Sequence, residues 1–152
     1  MTDHSRLEFL VNTYEDTLYR AALAILGDVH EAQDAVQDAF LRCWERAPEF
    51  EGPAHARAWL LRVLVNGCRS RLRLAWRRVG PLPDTLPAPG PEEGQELEEL
   101  YSLPPEDRAV IHLHYYEGYS TAELAKMLGC RPGTVRSRLF RARERLRKLL
   151  EP

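Results

Sequence analysis

The sequence has little of what a metal centre, a disulfide framework or a membrane span requires. Its 152 residues include only three cysteines, Cys43, Cys68 and Cys130, which are widely spaced and form no C-x2-C pair. No apolar run approaches the roughly 20 residues that a membrane span needs, and the residues after Met1 contain no signal-peptide core. We therefore expect a cytoplasmic protein that binds no metal and no other cofactor.

The chain also has no excess of basic residues, because 21 Lys and Arg stand against 23 Asp and Glu. Their distribution is uneven, however. Residues 57–78 hold seven arginines and no acid, and residues 131–148 hold eight basic residues and one acid, Glu144. Two local basic surfaces on a chain of net charge −2 predict two separate contacts with nucleic acid.

A proline-rich segment divides the chain. Residues 79–95, "VGPLPDTLPAPGPEEGQ", contain five prolines, which remove amide donors and fix φ, so that no helix or central strand can form there. Extended at about 3.1 Å per residue, the segment would span roughly 50 Å. The sequence therefore predicts two domains, residues 1–78 and 96–152, joined by a flexible linker, 79–95.

The apolar residues on both sides of this linker recur at intervals of three and four, as on the buried face of a helix. No alternating pattern typical of a strand is present. The predicted fold is all-α, with a three- to four-helix first domain and a second domain built around a helix-turn-helix.

The helix-turn-helix is indicated by the spacing of three residues. Counted from Thr121, Ala125 is the fifth residue, where a small side chain lets two helices approach, and Gly129 is the ninth, where the turn needs a residue without a side chain. Val135, the fifteenth, would pack the second helix on the first. The predicted DNA contacts around this second helix are Arg131, Thr134, Arg136, Ser137, Arg138, Arg141 and Arg143. The alternative is an amphipathic helix with a solvated basic face.

Two further helix faces, both in the first domain, suggest binding. Spacings of three and four bring one aromatic residue, one amide and three arginines together, a set suited to single-stranded or opened DNA; these are Trp59, Arg62, Asn66, Arg69 and Arg73. The helix before them carries a leucine among polar side chains with a tryptophan at its edge, a composition that favours docking onto a protein. That face comprises Asp34, Gln37, Asp38, Leu41 and Trp44, and the alternative for Trp44 is an ordinary core position.

These motifs together resemble a known family. "GDVHEAQDAVQDAFLRCWERAPEFEG", "AWLLRVLVNGCRSRLR" and "LPPEDRAVIHLHYYEGYSTAELAKMLGCRPGTVRSRLFRARERLRKLL" are similar to the bacterial RNA polymerase sigma factors of the extracytoplasmic-function (ECF) group, in the sigma-70 family. The resemblance implies a transcription initiation factor that is not itself an enzyme. Its expected partners are core RNA polymerase, promoter DNA and an anti-sigma factor.

The resemblance also implies a role for each face. The Asp34–Trp44 face would bind the clamp helices of the polymerase's largest subunit, and the second domain would also touch the polymerase flap. The Trp59–Arg73 stripe would contact the melted −10 element, and the helix from Arg131 would read the −35 element. The chain departs from the family pattern at Gln33, where an acid is common, and at Ser70, where an aspartate is common.

Two other function classes compete with this interpretation. A stand-alone helix-turn-helix regulator would bind duplex DNA without polymerase, but it has no use for the second basic surface upstream. A nucleic-acid enzyme with a helix-turn-helix tail would need a cluster of catalytic or metal-binding acids. The acids of the first domain instead lie along one helix face.

Overall fold

The structure is a computed structural model that describes residues 3–79 and 101–150. Within these ranges the chain is helical and contains no strand, which confirms the predicted fold class. The helices are α1 (Asp3–Leu26), α2 (Val29–Arg46), α3 (Pro53–Val79), α4 (Pro105–Ile111), α5 (Thr121–Leu128) and α6 (Pro132–Leu150), and a π-helical segment, His112–Tyr116, continues α4. Except for Val79, the last residue of α3, the predicted linker lies outside the described residues.

Helices α1 to α3 form the first unit, residues 3–79. α1 is followed by Gly27, whose φ of 70° is readily adopted by glycine, and Asp28 caps α2 by accepting a 2.9 Å hydrogen bond from the amide of Glu31. Both Cys43 and Cys68 are buried free thiols, and burial raises the pKa of Cys68 to about 12. The unit is held by apolar packing among its three helices.

The second unit, residues 101–150, contains the helix-turn-helix where the sequence predicts it. Ser120 and Glu123 form a reciprocal capping box at the start of α5. Gly129 ends α5 with a φ of 68°, a left-handed conformation that a side chain would strain. Ala125 and Val135 are buried and belong to the same hydrophobic cluster, and α5 contacts α6, so each residue of the predicted three-point spacing lies where the motif requires it.

The two units pack against each other, a contact that the linker composition does not predict. α4 lies against α1 and α5 lies against α3. Buried residues of both units, such as Leu64 and Leu124, belong to one hydrophobic cluster. The faces predicted to contact DNA are therefore positioned relative to each other by a shared core, while the proposed domain limits, 1–78 and 96–152, stay a prediction.

Candidate nucleic-acid and protein interfaces

Helix α6 presents one apolar side to the second unit and one basic side to solvent. Val135, Leu139 and Ala142 are buried. Of the predicted DNA contacts, five are exposed, namely Arg131, Arg136, Ser137, Arg141 and Arg143. Thr134 and Arg138 are only partly exposed. Most of the predicted reading face is thus accessible to a ligand as large as duplex DNA.

Arg138 differs from its neighbours because it turns toward acids of α4. Its Nη1 lies 3.2 Å from Oε2 of Glu106, and Arg145 lies 3.4 Å from Oδ2 of Asp107. Burial raises the pKa of Asp107, while the guanidinium groups of Arg145, Arg141 and Arg138 oppose this rise. Sequence reasoning missed these acids, because nothing local in "LPPED" indicates that they face a helix more than 30 residues further along the chain.

The Trp59–Arg73 stripe on α3 is accessible at three of its five positions. Arg62, Asn66 and Arg73 are exposed, and Arg73 donates a 3.3 Å hydrogen bond to the hydroxyl of Ser70, where the family commonly has an acid. Trp59 is partly buried and contacts the ring of Phe50 edge-on at 5.7 Å between ring centroids, and Arg69 is also partly buried.

Arg69 is held by the second unit rather than presented to solvent. Its Nη2 donates to Oε2 of Glu106 at 2.9 Å, and its Nη1 donates to the carbonyl oxygen of Leu128 at 3.1 Å. Leu128 is the last residue of α5, where carbonyl groups carry the negative end of the helix dipole. The expectation that Arg69 faces DNA therefore requires that these contacts open.

A cavity of about 240 Å³ lies where α3 meets the second unit. Trp59 and Arg62 of α3 border it on one side, and Tyr119 and Met127 border it on the other. Part of the predicted −10 surface therefore forms one wall of the junction between the units.

Helix α2 carries the predicted protein-binding face in an exposed position. Asp34, Gln37 and Asp38 are exposed, and the side chains of Leu41 and Trp44 are 50% and 48% exposed. The alternative that Trp44 is an ordinary core residue is therefore wrong.

The same face borders a large groove between α1 and α2, with a volume of about 690 Å³. Its lining includes apolar groups such as Phe40 and Leu41 and the carboxylates of Glu15, Asp16 and Asp34. A groove lined by both apolar groups and carboxylates suits a basic amphipathic helix of a protein partner.

A buried carboxylate also holds the two units together, and the sequence did not predict it. The side chain of Glu117 is only 3% exposed, and its Oε1 lies 2.9 Å from Nη2 of Arg57 and 3.7 Å from Nη2 of Arg20. Its Oε2 lies 3.2 Å from Nε2 of His112. Because both arginines come from the first unit, Glu117 ties the second unit to α1 and α3.

Comparison with known proteins assigns both units to one family. The family model for Sigma-70 region 2 matches residues 10–78, and the family model for Sigma-70, region 4 matches residues 96–146. The ECF RNA polymerase sigma factor SigM of Mycobacterium tuberculosis is 36% identical over 97% of this chain and 79% of its own length. SigE of Mycolicibacterium smegmatis is 37% identical over 93% of this chain, which spans 60% of that protein.

Solved structures give the same assignment over both units. The sigma factor RpoE in complex with the anti-sigma factor NepR, from Bartonella quintana, has a TM-score of 0.74 and 26% identity, covering 92% of this chain and 93% of that one. CnrH in complex with the cytosolic domain of CnrY has a TM-score of 0.67 and 30% identity, covering 97% and 88%.

The chain belongs to the sigma-70 family and, within it, to the ECF RNA polymerase sigma factors. This confirms the resemblance drawn from the motifs, and with it the interpretation as a factor that directs transcription initiation. No helix among the described residues is long and apolar enough to cross a membrane.

Proposed function

We propose that the two units divide promoter recognition between them. α6 of the second unit reads the −35 element as duplex through Arg136, Ser137, Arg138 and Arg141. α3 of the first unit holds the opened −10 element through Trp59, Arg62, Asn66, Arg69 and Arg73. The observation that carries the proposal is that each unit has its own arginine-rich helix face, most of which is exposed.

The exposed α2 face binds core polymerase. Leu41 and Trp44 supply apolar contact area, and Asp34, Gln37 and Asp38 supply the polar surroundings that exclude water from it. The groove beside this face offers apolar groups and carboxylates to a helix of the polymerase clamp. The factor thus lends sequence specificity to core polymerase in the cytoplasm and performs no catalysis of its own.

An anti-sigma factor controls the chain. The similarity to RpoE bound to NepR extends over 92% of this chain, and so includes both units. That structure is of a sigma factor bound to its anti-sigma factor. The shared arrangement supports binding of this chain by an anti-sigma factor as well. Such a partner would compete with polymerase for the α2 face.

Run-off transcription on genomic fragments with core polymerase tests the proposal. We expect promoter-dependent products only when the purified chain and core polymerase are both present. A stand-alone regulator would instead bind specific duplex DNA tightly by itself and direct no initiation. The absence of any product, together with a failure to co-purify with core polymerase, would refute the proposal.

A further inference from the structure

One carboxylate oxygen joins an arginine from each of the two faces proposed to contact DNA. Oε2 of Glu106, on α4, lies 2.9 Å from Nη2 of Arg69 on α3 and 3.2 Å from Nη1 of Arg138 on α6. α3 belongs to the first unit and α6 to the second. The same side chain therefore connects the two units and occupies both faces.

The contacts of Glu106 are of the kind that a DNA phosphate makes. Carboxylates and phosphates both offer anionic oxygens to the guanidinium group of arginine. The side chain of Glu106 is 43% exposed, and those of Arg69 and Arg138 are 26% and 23% exposed, so the cluster lies at the partly solvated edge of the junction between the units. Nη1 of Arg138 is itself buried and makes no hydrogen bond within the described residues, so its contact with Glu106 is an ion pair without a hydrogen bond.

While the units are closed, Arg69 is held away from the −10 element, because both of its terminal nitrogens donate to acceptors of the second unit and only three of its five N–H donors are left. One donates to Glu106 and the other to the carbonyl of Leu128 at the end of α5. Both partners belong to the second unit. Separating the units would release both contacts at once.

Promoter geometry demands such a separation. Positions −35 and −10 are about 25 base pairs apart, or about 85 Å of duplex at 3.4 Å per base pair. A compact chain of 152 residues has a radius of gyration of only about 15 Å. Because α3 and α5 are in direct contact in the closed arrangement, the two faces cannot then span both elements.

We propose that Glu106 competes with DNA for two arginines: it pairs with Arg69 and Arg138 in the closed chain and releases them to DNA when the units separate. The inference rests on the proposed function, since it takes both arginines as DNA contacts. Glu106 thereby weakens DNA binding by the free factor and leaves full binding to the opened, polymerase-bound form.

The test measures affinity of the full-length free protein for a random-sequence duplex at low salt, by fluorescence anisotropy. Glu106→Gln should bind about threefold to tenfold more tightly than the wild type, the range expected from losing two partly exposed ion pairs. Glu106→Asp withdraws the carboxylate by one methylene at unchanged net charge, and it should give a smaller gain in the same direction. Circular dichroism and urea midpoints check that each variant is folded.

Glu8→Gln is the matched control, because Glu8 is an exposed glutamate on α1, outside both faces proposed to contact DNA. It adds the same charge to the protein but should tighten binding no more than about twofold. The gain from Glu106→Gln should also shrink when Arg69→Ala or Arg138→Ala is added.

Equal gains from Glu106→Gln and Glu8→Gln would overturn the inference, because Glu106 would then act only through net charge. A gain that survives replacement of both arginines would overturn it as well. The random-sequence duplex contains no promoter. The role of Glu106 and promoter recognition can therefore be refuted independently of each other. A specific gain without any run-off product would refute promoter recognition, and run-off activity without a specific gain would refute the role of Glu106.

Discussion

Nε of Arg108 donates a 2.8 Å hydrogen bond to the carbonyl oxygen of Ala24, across the boundary between the two units. Arg108 also donates to the carbonyl of Ile25 and, within its own unit, to that of Leu103 at 2.6 Å. Ala24 and Ile25 lie in the last turn of α1, whose carbonyls have no partner further along the helix. A cation from the second unit thus caps a helix of the first, where it also meets the negative end of the dipole.

Arg108→Met should destabilise the protein by about 3–5 kcal/mol, because it leaves several buried carbonyls without a donor. The side chain of Arg108 is almost completely buried, and burial lowers its pKa to about 10, so it is still charged near neutral pH. The free energy of unfolding in urea measures the loss. Arg136→Met, at an exposed position of α6, is the control and should change it by less than about 0.5 kcal/mol. Similar losses in both variants would contradict the capping role.

Replacing each of two glycines by alanine should change the stability of the protein in opposite directions. Gly129 has a φ of 68°, so Gly129→Ala should cost about 1–2 kcal/mol in left-handed strain. Gly67 lies inside α3, and no neighbouring part of the fold comes within 4 Å of the position that an added methyl group would take. Gly67→Ala should therefore stabilise the protein by about 0.5–1 kcal/mol. Thermal or urea unfolding measures both, and a loss of stability in Gly67→Ala would show that the site is more confined than its geometry indicates.

The parts of the fold that depend on short spacings could be predicted from the sequence. Ala125, Gly129 and Val135 locate the helix-turn-helix because their roles depend on neighbours within one or two helical turns. Contacts between distant residues could not be predicted, and Arg69 illustrates why. Its position in the α3 stripe establishes which side of the helix it occupies, but not that Glu106, 37 residues away, covers that side. The buried Glu117 was missed for the same reason.

Acidification should lower the free energy of unfolding because of His112. Its ring stacks on Tyr116 at 5.1 Å between centroids, and burial lowers its pKa below the ordinary 6.5, although Glu117 opposes that shift. Below about pH 6.5 the unfolded chain therefore binds the proton more readily than the folded chain, and the free energy of unfolding falls as pH falls. His112→Gln should lose less stability than the wild type between about pH 7.5 and 5.5. Parallel pH profiles of urea unfolding would exclude this role for His112.

Trp44→Ala should weaken association with core polymerase by about 2 kcal/mol, roughly thirtyfold, if Trp44 anchors the α2 face. Phe9→Ala is the matched control, because Phe9 is also a large exposed aromatic residue, at 58%, but lies on α1 outside that face. Association is measured with labelled factor and purified core polymerase, and urea midpoints check the fold of both variants. Equal weakening by the two substitutions would remove the basis for assigning the polymerase contact to α2.

The two ends of α6 should contribute differently to −35 recognition. Arg141 is exposed, in the part of the helix that we propose meets base edges, and Arg141→Ala should cost about 1–3 kcal/mol and relax the preference at one promoter position. Arg147 lies near the C-terminal end, and Arg147→Ala should weaken binding equally on all sequences and reduce the salt slope by about one phosphate contact. Holoenzyme binding to promoter variants at several salt concentrations separates the two effects. If Arg141→Ala also weakens every sequence equally, Arg141 contacts a phosphate and the base-reading residues lie closer to the start of α6.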